Sequence, residues 1–135
     1  MDLAQLDTAI AAETGAVMHL NGPDGAPLFT DDGKPLTITL LGSDGKTLTT
    51  LTNRQANAIL RNRSQVITAE MAMTNEIERL ATATTAWSNI VLEGKALECN
   101  LDNARALYRR LPWVRDQVRA FIDDRANFLT ASPKS

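Results

Sequence analysis

The sequence predicts an α+β domain in which a small N-terminal antiparallel sheet packs on a mainly helical C-terminal part. Residues 16–50 alternate apolar and polar side chains between turns rich in glycine, proline and aspartate, which is typical of short strands. Beyond residue 52 the apolar residues recur every three or four positions, which is typical of helices. The chain has 135 residues and is 44% hydrophobic, enough for one core, so we interpret residues 1–135 as a single domain.

Residues 1–15 predict a short N-terminal helix. Asp2 can cap it, and Leu3, Leu6 and Ile10 fall on one face at spacings of three and four. A helix this short is marginal in water without a packed partner. Two interpretations therefore stay open, a mobile segment or a segment that docks on another subunit.

The predicted sheet occupies residues 16–50. Strand candidates lie at 16–20 and 36–40, separated by two turns at 21–27 and 31–35. Asp44 and Gly45 form a hairpin signal, because glycine supplies the positive φ of a tight turn, and Leu48 begins a predicted return strand. We expect about three strands and no internal repeat.

Residues 52–129 form the predicted helical part, with one long helix and two shorter ones. The long helix is expected over 52–90, starting with a capping box at Thr52 and Gln55. A break along it stays open as an alternative, and its end is expected to fray near Thr84 because threonines disfavour helix. Apolar residues recur along it every seven positions, at Ile59, Val66, Met73, Leu80 and Trp87. Because the companion apolar column is weak, this pattern favours a helix packed within a domain over a coiled coil.

The two shorter helices follow a connector at 91–97 with a turn at Gly94. Asn100 can cap a helix that reaches Leu111, and Pro112 suits the first turn of the last helix, which should end near residue 128. Residues 130–135 form a polar tail. Large aromatic residues contribute most to core packing, and they cluster in this region. The predicted core residues are Trp87, Leu107, Tyr108, Trp113, Val118, Phe121 and Phe128.

Charge is distributed unevenly along the chain. Residues 1–50 have a net charge of −5 and residues 101–135 a net charge of +3, within a total of −2. This polarity is able to orient self-association or a partner, and it is equally compatible with two solvated surfaces. No apolar run has the length of a membrane span, so we expect no contact with membranes.

The residues that carry catalysis and metal binding are sparse. His19 is the only histidine and Cys99 the only cysteine, which argues against a histidine-based metal cluster, a Ser–His–Asp triad or an internal disulfide. The basic residues between Arg105 and Arg119 are interspersed with acids and lack alternating aromatics, which argues against nucleic-acid binding. We expect no enzymatic activity, no metal and no cofactor.

Several segments resemble the tail assembly chaperones of long-tailed phages and prophages. The turn at 21–28 is similar to a Pro-x-Thr-Gly-x-x-Leu segment of that family, and 40–44 is similar to a strand ending in Gly-x-Asp-Ser. Residues 87–95 match a Trp-x-x-Ile-x-x-x-Gly-Lys segment. The segment 103–108 and the helix from Pro112 to residue 128 extend the resemblance, which covers roughly residues 16–129.

The resemblance implies a non-catalytic protein of the host cytoplasm that binds the tape-measure protein and assists polymerisation of the tail tube. The implied partners are tape-measure and tail-tube proteins, with homo-oligomers also expected. An alternative is a structural component of the virion tail or the head–tail junction. The predicted partner-binding residues lie along the apolar stripe of the long helix and its flank: Ile59, Val66, Glu70, Met71, Met73 and Ile77.

Overall fold

The computed structural model describes residues 1–62 and 66–129, so the predicted tail at 130–135 lies outside the described residues. The predicted α+β class is confirmed. Within the described residues, a 3-10 helix at Leu3–Leu6 precedes six α-helices, and five short strands are interspersed with them. The helices are α1 (Thr8–Thr14), α2 (Lys46–Arg61), α3 (Ala69–Ala83), α4 (Leu101–Arg110), α5 (Pro112–Asp123) and α6 (Ala126–Leu129). The strands are β1 (Ala16–His19), β2 (Thr37–Leu40), β3 (Thr84–Ser88), β4 (Val91–Leu92) and β5 (Lys95–Ala96).

The main sheet has the order β1-β2-β3, and both pairings are antiparallel. Ile38 in the central strand lies opposite Met18 of β1 and Trp87 of β3. The third strand thus comes from beyond α3 and not from residues 46–50, which was the prediction. The sheet is complete only when the chain has passed through two helices and returned.

One cluster of buried apolar side chains joins the sheet to α3, α4 and α5. Among the predicted core residues, Leu107, Tyr108 and Val118 lie inside this cluster. Phe128 is buried outside it, against α1. The remaining three are only half-buried and pack on the margin of the cluster: Trp87, Trp113 and Phe121. Trp87 also donates its indole N–H to the Leu97 carbonyl oxygen at 2.7 Å.

The helix predicted over 52–90 is not one continuous helix, and the alternative of a broken helix is the one that the structure shows. Helix α2 ends at Arg61, a second helix begins at Ala69 after its Thr68 cap, and the chain becomes a strand at Thr84. The predicted capping box is also wrong, because Thr52 lies inside α2. An apolar residue at every seventh position is compatible with one continuous helix and with two helices in succession. The pattern therefore does not predict where the helix breaks. Three threonines between positions 82 and 85 favour strand geometry, as β-branched residues do.

Residues 20–35 contain an eight-residue repeat that the sequence analysis missed. Two copies of the pattern Leu-x-x-x-Asp-Gly-x-Pro begin at Leu20 and Leu28, and Leu36 follows them. The three leucines form a closed cycle, in which Leu20 N–H donates to Leu36, Leu28 to Leu20, and Leu36 to Leu28, at 2.9–3.1 Å. In each copy the glycine after aspartate has a φ of +88°, and its N–H bonds to the carbonyl three residues earlier. The repeat therefore builds two equivalent turns.

A third copy of the pattern begins at Leu40, but it has Thr47 where the first two copies have proline. Proline biases the preceding residue towards extended backbone, and without it Lys46 is free to begin a helix. Accordingly Gly45 has a φ of −73° and is the N-terminal cap of α2. The hairpin and return strand predicted at 43–48 are wrong for this reason.

The N-terminal helix is docked on its own chain, through a face other than the predicted one. Ala12 is buried, and its carbonyl oxygen accepts a 2.9 Å hydrogen bond from the N–H of Gly42. Glu13 acts as a cap for α2, because its carboxylate accepts hydrogen bonds from the Thr47 N–H at 3.0 Å and from the Thr47 hydroxyl. These hydrogen bonds hold the pKa of Glu13 below its usual value.

The predictions for the C-terminal helices agree closely with the structure. Asn100 caps α4 by accepting from the Asn103 N–H at 2.8 Å, and Pro112 occupies the first position of α5. The predicted turn at Gly94 joins β4 to β5, and the positive φ of Glu93 and Gly94 is that of a tight hairpin turn. The last predicted helix ends at Asp123, and a separate short helix, α6, follows it.

The junction between α3 and β3 is held by Tyr108, which is fully buried. Its hydroxyl lies 2.6 Å from the hydroxyl of Thr84, which donates its own proton to the Leu80 carbonyl at 2.9 Å. Tyr108 is therefore the donor to Thr84. Burial raises the pKa of Tyr108, so the phenol keeps its proton throughout the physiological range.

Substituting Tyr108 should separate the contributions of its ring and its hydroxyl. Tyr108→Phe removes one hydrogen bond and leaves Thr84 bonded to Leu80, so the free energy of unfolding should fall by about 1 kcal/mol. Tyr108→Ala also removes a buried ring and should cost roughly 3–5 kcal/mol. Urea denaturation followed by circular dichroism measures both. Equal losses in the two variants would show that ring packing contributes little.

Gly42 lies where the fold has no room for a side chain. A β-carbon there would lie 2.7 Å from the Ala12 Cβ and 2.9 Å from the Phe128 ring. Gly42→Ala should therefore destabilise the protein by roughly 1–3 kcal/mol, because α1 and α6 must both move apart. The control is Gly25→Ser, which meets no neighbouring atom and should cost only the strain of its positive φ. A Gly42→Ala melting temperature equal to that of wild type would contradict this packing.

Candidate functional site

The candidate site is a groove between the C-terminal half of α2 and the N-terminal half of α3. Its volume is about 380 Å³. The groove forms because both helices extend beyond the core. Leu48 and Leu51, the buried residues of α2, lie in its first six positions, and those of α3 begin only at Ile77. The other ends of the two helices have no buried residue, and the groove lies between them.

Apolar side chains line much of this groove. Ile59 of α2 faces it, together with Ile67 and Met71 from the other side. Ile67 is 51% exposed and Met71 38% exposed, so the apolar surface is open to solvent. Leu60 and Val66 lie exposed nearby in sequence and extend the apolar character of this end. Methionine packs against partners of varied shape, because its side chain is flexible and polarisable.

Polar contacts hold the walls of the groove in place. The Gln55 amide donates to the Asn75 carbonyl at 3.0 Å, which joins α2 to α3. Thr68 caps α3 by accepting from the Met71 N–H at 3.1 Å. Arg109 of α4 contacts two residues of the α3 wall, the Glu70 carboxylate at 3.2 Å and the Thr74 hydroxyl at 3.3 Å. The α3 wall is thus attached to α4.

The six predicted partner-binding residues lie in different environments in the structure. Three of them line the groove: Ile59, Glu70 and Met71. Ile77 is buried in the protein and Met73 is half-buried, while Val66 is exposed between the helices. Sequence reasoning missed Ile67, Arg54 and Gln55, because it did not locate the break between the two helices. The break in that helix creates the groove.

The groove has a basic wall and a balanced one. Helix α2 carries Lys46, Arg54 and Arg61 and no acidic residue. Within the described ranges 1–62 and 66–129, Arg54 and Arg61 form no ion pair. Helix α3 carries three glutamates, and each of them is paired with an arginine: Glu70 with Arg109, Glu76 with Arg79 and Arg119, and Glu78 with Arg105.

The arginines of α4 and α5 form ion pairs and hydrogen bonds within the chain. Its arginines contact carboxylates or, for Arg115, the Tyr108 carbonyl oxygen at 2.9 Å. The carboxylate partners are Glu78 and Asp102 for Arg105, Glu70 for Arg109, Glu93 for Arg110, and Asp116 and Glu76 for Arg119. These pairs attach α4 and α5 to α3 and to the β4–β5 hairpin.

The residues singled out for chemical reactivity have structural contacts. A ring nitrogen of His19 lies 2.9 Å from the Leu28 carbonyl oxygen, and its ring contacts Phe29 edge to face. Cys99 is half-buried, and burial raises the pKa of its thiol. Among residues 1–62 and 66–129, no group of three or more metal-ligating side chains is close enough to hold an ion. None of the helices described there has both the length and the apolar character to cross a bilayer.

Comparison with known proteins gave no match, either to a protein-family model, to a curated protein or to a solved structure.

The Glu78–Arg105 pair allows the contact between α3 and α4 to be tested by changing the pH. Both guanidinium contacts are short, at 2.8 and 3.1 Å, and they hold the pKa of Glu78 below its usual 4.5. A lowered folded pKa gives stability that is present above the usual value and is lost as pH falls through the folded value. Glu78→Gln should cost about 1 kcal/mol at neutral pH. The difference in melting temperature from wild type should shrink in acid, and a constant difference would exclude the ion pair as its source.

Proposed function

We propose that this chain is a non-catalytic phage tail assembly chaperone that binds a helical segment of a tape-measure protein in the α2–α3 groove. The apolar, solvent-open groove carries the proposal. An amphipathic helix buries its apolar face in a groove of this kind, with anchors spaced three, four and seven residues apart. The resemblance of residues 16–129 to tail assembly chaperones supports the choice of partner.

Two properties of the groove suit a client that must later be released. Met71 and Ile67 present an apolar surface to the client but do not enclose it in a pocket. Such a surface favours adaptable binding of moderate affinity over tight recognition of one shape. Arg54 adds a positive charge at the edge of the groove, which favours client helices with an acidic flank. The Gln55–Asn75 hydrogen bond and the Arg109–Glu70 ion pair hold the two walls, so less ordering is required when the client binds.

Co-expression with the tape-measure protein of the same phage or prophage tests the site. Wild-type protein should keep the client soluble and co-purify with it. Ile67→Asp combined with Met71→Asp should abolish co-purification, because it places two charges in the groove. The matched control is Leu101→Asp, an exposed apolar residue at the first position of α4, where an acidic side chain suits the helix dipole. Loss of binding in both variants would argue against the groove.

Mass spectrometry of purified particles tests the function itself. A chaperone leaves the assembly, so the chain should be missing from finished virions while abundant in the producing cell. If the chain is present at a fixed number of copies, it is a structural component of the tail or the head–tail junction, and the chaperone proposal fails.

A further inference from the structure

A second unpartnered apolar surface lies on the N-terminal segment. Leu3, Leu6 and Ile10 are 75%, 46% and 67% exposed, and we call these three side chains the N-terminal ridge. Leu3 and Leu6 lie on one face of the 3-10 helix, because residues three apart eclipse in that geometry. Hydrogen bonds nevertheless hold the segment in place. Asp2 and Asp7 cap its two helices, and Ala12 fixes α1 to the body of the protein.

The ridge places three exposed apolar side chains within eight residues of sequence. Leu3 and Leu6 belong to the 3-10 helix and Ile10 to α1, and the two helices meet at Asp7, whose backbone is extended. The ridge is therefore a short apolar segment and not the face of one continuous helix. The α2–α3 groove offers about 380 Å³ lined by Ile59, Ile67 and Met71. The same chain therefore displays a protruding apolar segment and an open apolar groove.

The charges of the two surfaces are complementary. Residues 1–14 contain Asp2, Asp7 and Glu13 and no lysine or arginine. The α2 wall contains only basic charges, and Arg54 at the groove forms no ion pair within the part of the chain that the structure describes. An acidic segment lying along this wall would place Asp2 and Asp7 near unpaired arginines. Such complementarity orients association more than it strengthens it.

The ridge and the groove of one chain do not contact each other. Glu13 holds the end of α1 at Thr47, at the N-terminus of α2. The groove begins at Arg54, about 10 Å farther along that helix at 1.5 Å per residue. The ridge side chains remain exposed in this arrangement, so the groove is filled by a ridge only if the ridge belongs to another copy.

We infer that the N-terminal ridge of one copy binds the α2–α3 groove of a second copy. The two contacting surfaces differ, so each contact joins the ridge of one copy to the groove of another. Two copies that exchange ridges form a closed two-fold dimer in which this contact is made twice, and copies that do not exchange them form rings or open chains. This inference rests on the surfaces of this chain alone and does not depend on the proposed client. A client in the same groove would compete with self-association.

Sedimentation velocity over a range of concentrations tests the interface with the intact protein and no client. Wild type should form dimers or larger species as concentration rises. Leu3→Asp with Ile10→Asp removes the ridge, and Ile67→Asp with Met71→Asp removes the groove. Each variant should raise the dissociation constant at least about 10-fold and sediment as a monomer. All four positions are exposed, so circular dichroism should give wild-type melting temperatures, and Leu101→Asp should associate as wild type does.

Mixing the two variants gives the decisive result. The ridge variant retains an intact groove and the groove variant retains an intact ridge, so one functional interface remains. The mixture should form one-to-one dimers and nothing larger. Three results would overturn the inference: wild type that stays monomeric at millimolar concentration, a groove variant that still associates, or a mixture that stays monomeric. A failure of client binding would leave all of these measurements unchanged, so the two proposals are tested separately.

Discussion

The change from helix to strand between Ala83 and Thr84 is the constraint on which the remaining structure depends. Tyr108 fixes that point from α4, by bonding the Thr84 hydroxyl that also bonds back to α3. Because the chain leaves α3 there, β3 can pair with β2 and complete the sheet. The same residue lies among the buried side chains of the core, so local backbone geometry and global packing are joined in one place.

This constraint fixes only one end of the α2–α3 pair. The ends near the sheet are buried, whereas the opposite ends lie beyond the core and depend on a few polar contacts, such as Gln55 with Asn75 and Arg109 with Glu70. A protein of this size buries a limited fraction of its surface. Two helices that outreach the core necessarily leave apolar surface uncovered, and here that surface becomes the groove.

Sequence reasoning succeeded where a single residue type determines the local geometry. Asn100 and Pro112 fixed the starts of α4 and α5, and the α+β class followed from the change in periodicity. It failed where the outcome depends on distant contacts. The same Asp-Gly pair makes a turn at 24–25 and 32–33 but leads into a helix at 44–45, where Glu13 caps α2 from outside. Ile59, Glu70 and Met71 were predicted among the residues that line the groove, and the others were missed because the position of the helix break was not predicted.

The loop at 42–45 has a kinetic consequence. Ser43 bonds to the Ile122 carbonyl and to Asp123, and Asp44 bonds to Arg125, contacts that span 79–81 residues of sequence. Contacts this distant form slowly, because the intervening chain loses much of its freedom before they are made. During synthesis this loop waits unpaired until the ribosome has released the residues around position 125. We therefore expect the packing of α1 and α6 around Gly42 to be a late step in folding, completed after most of the helices have formed.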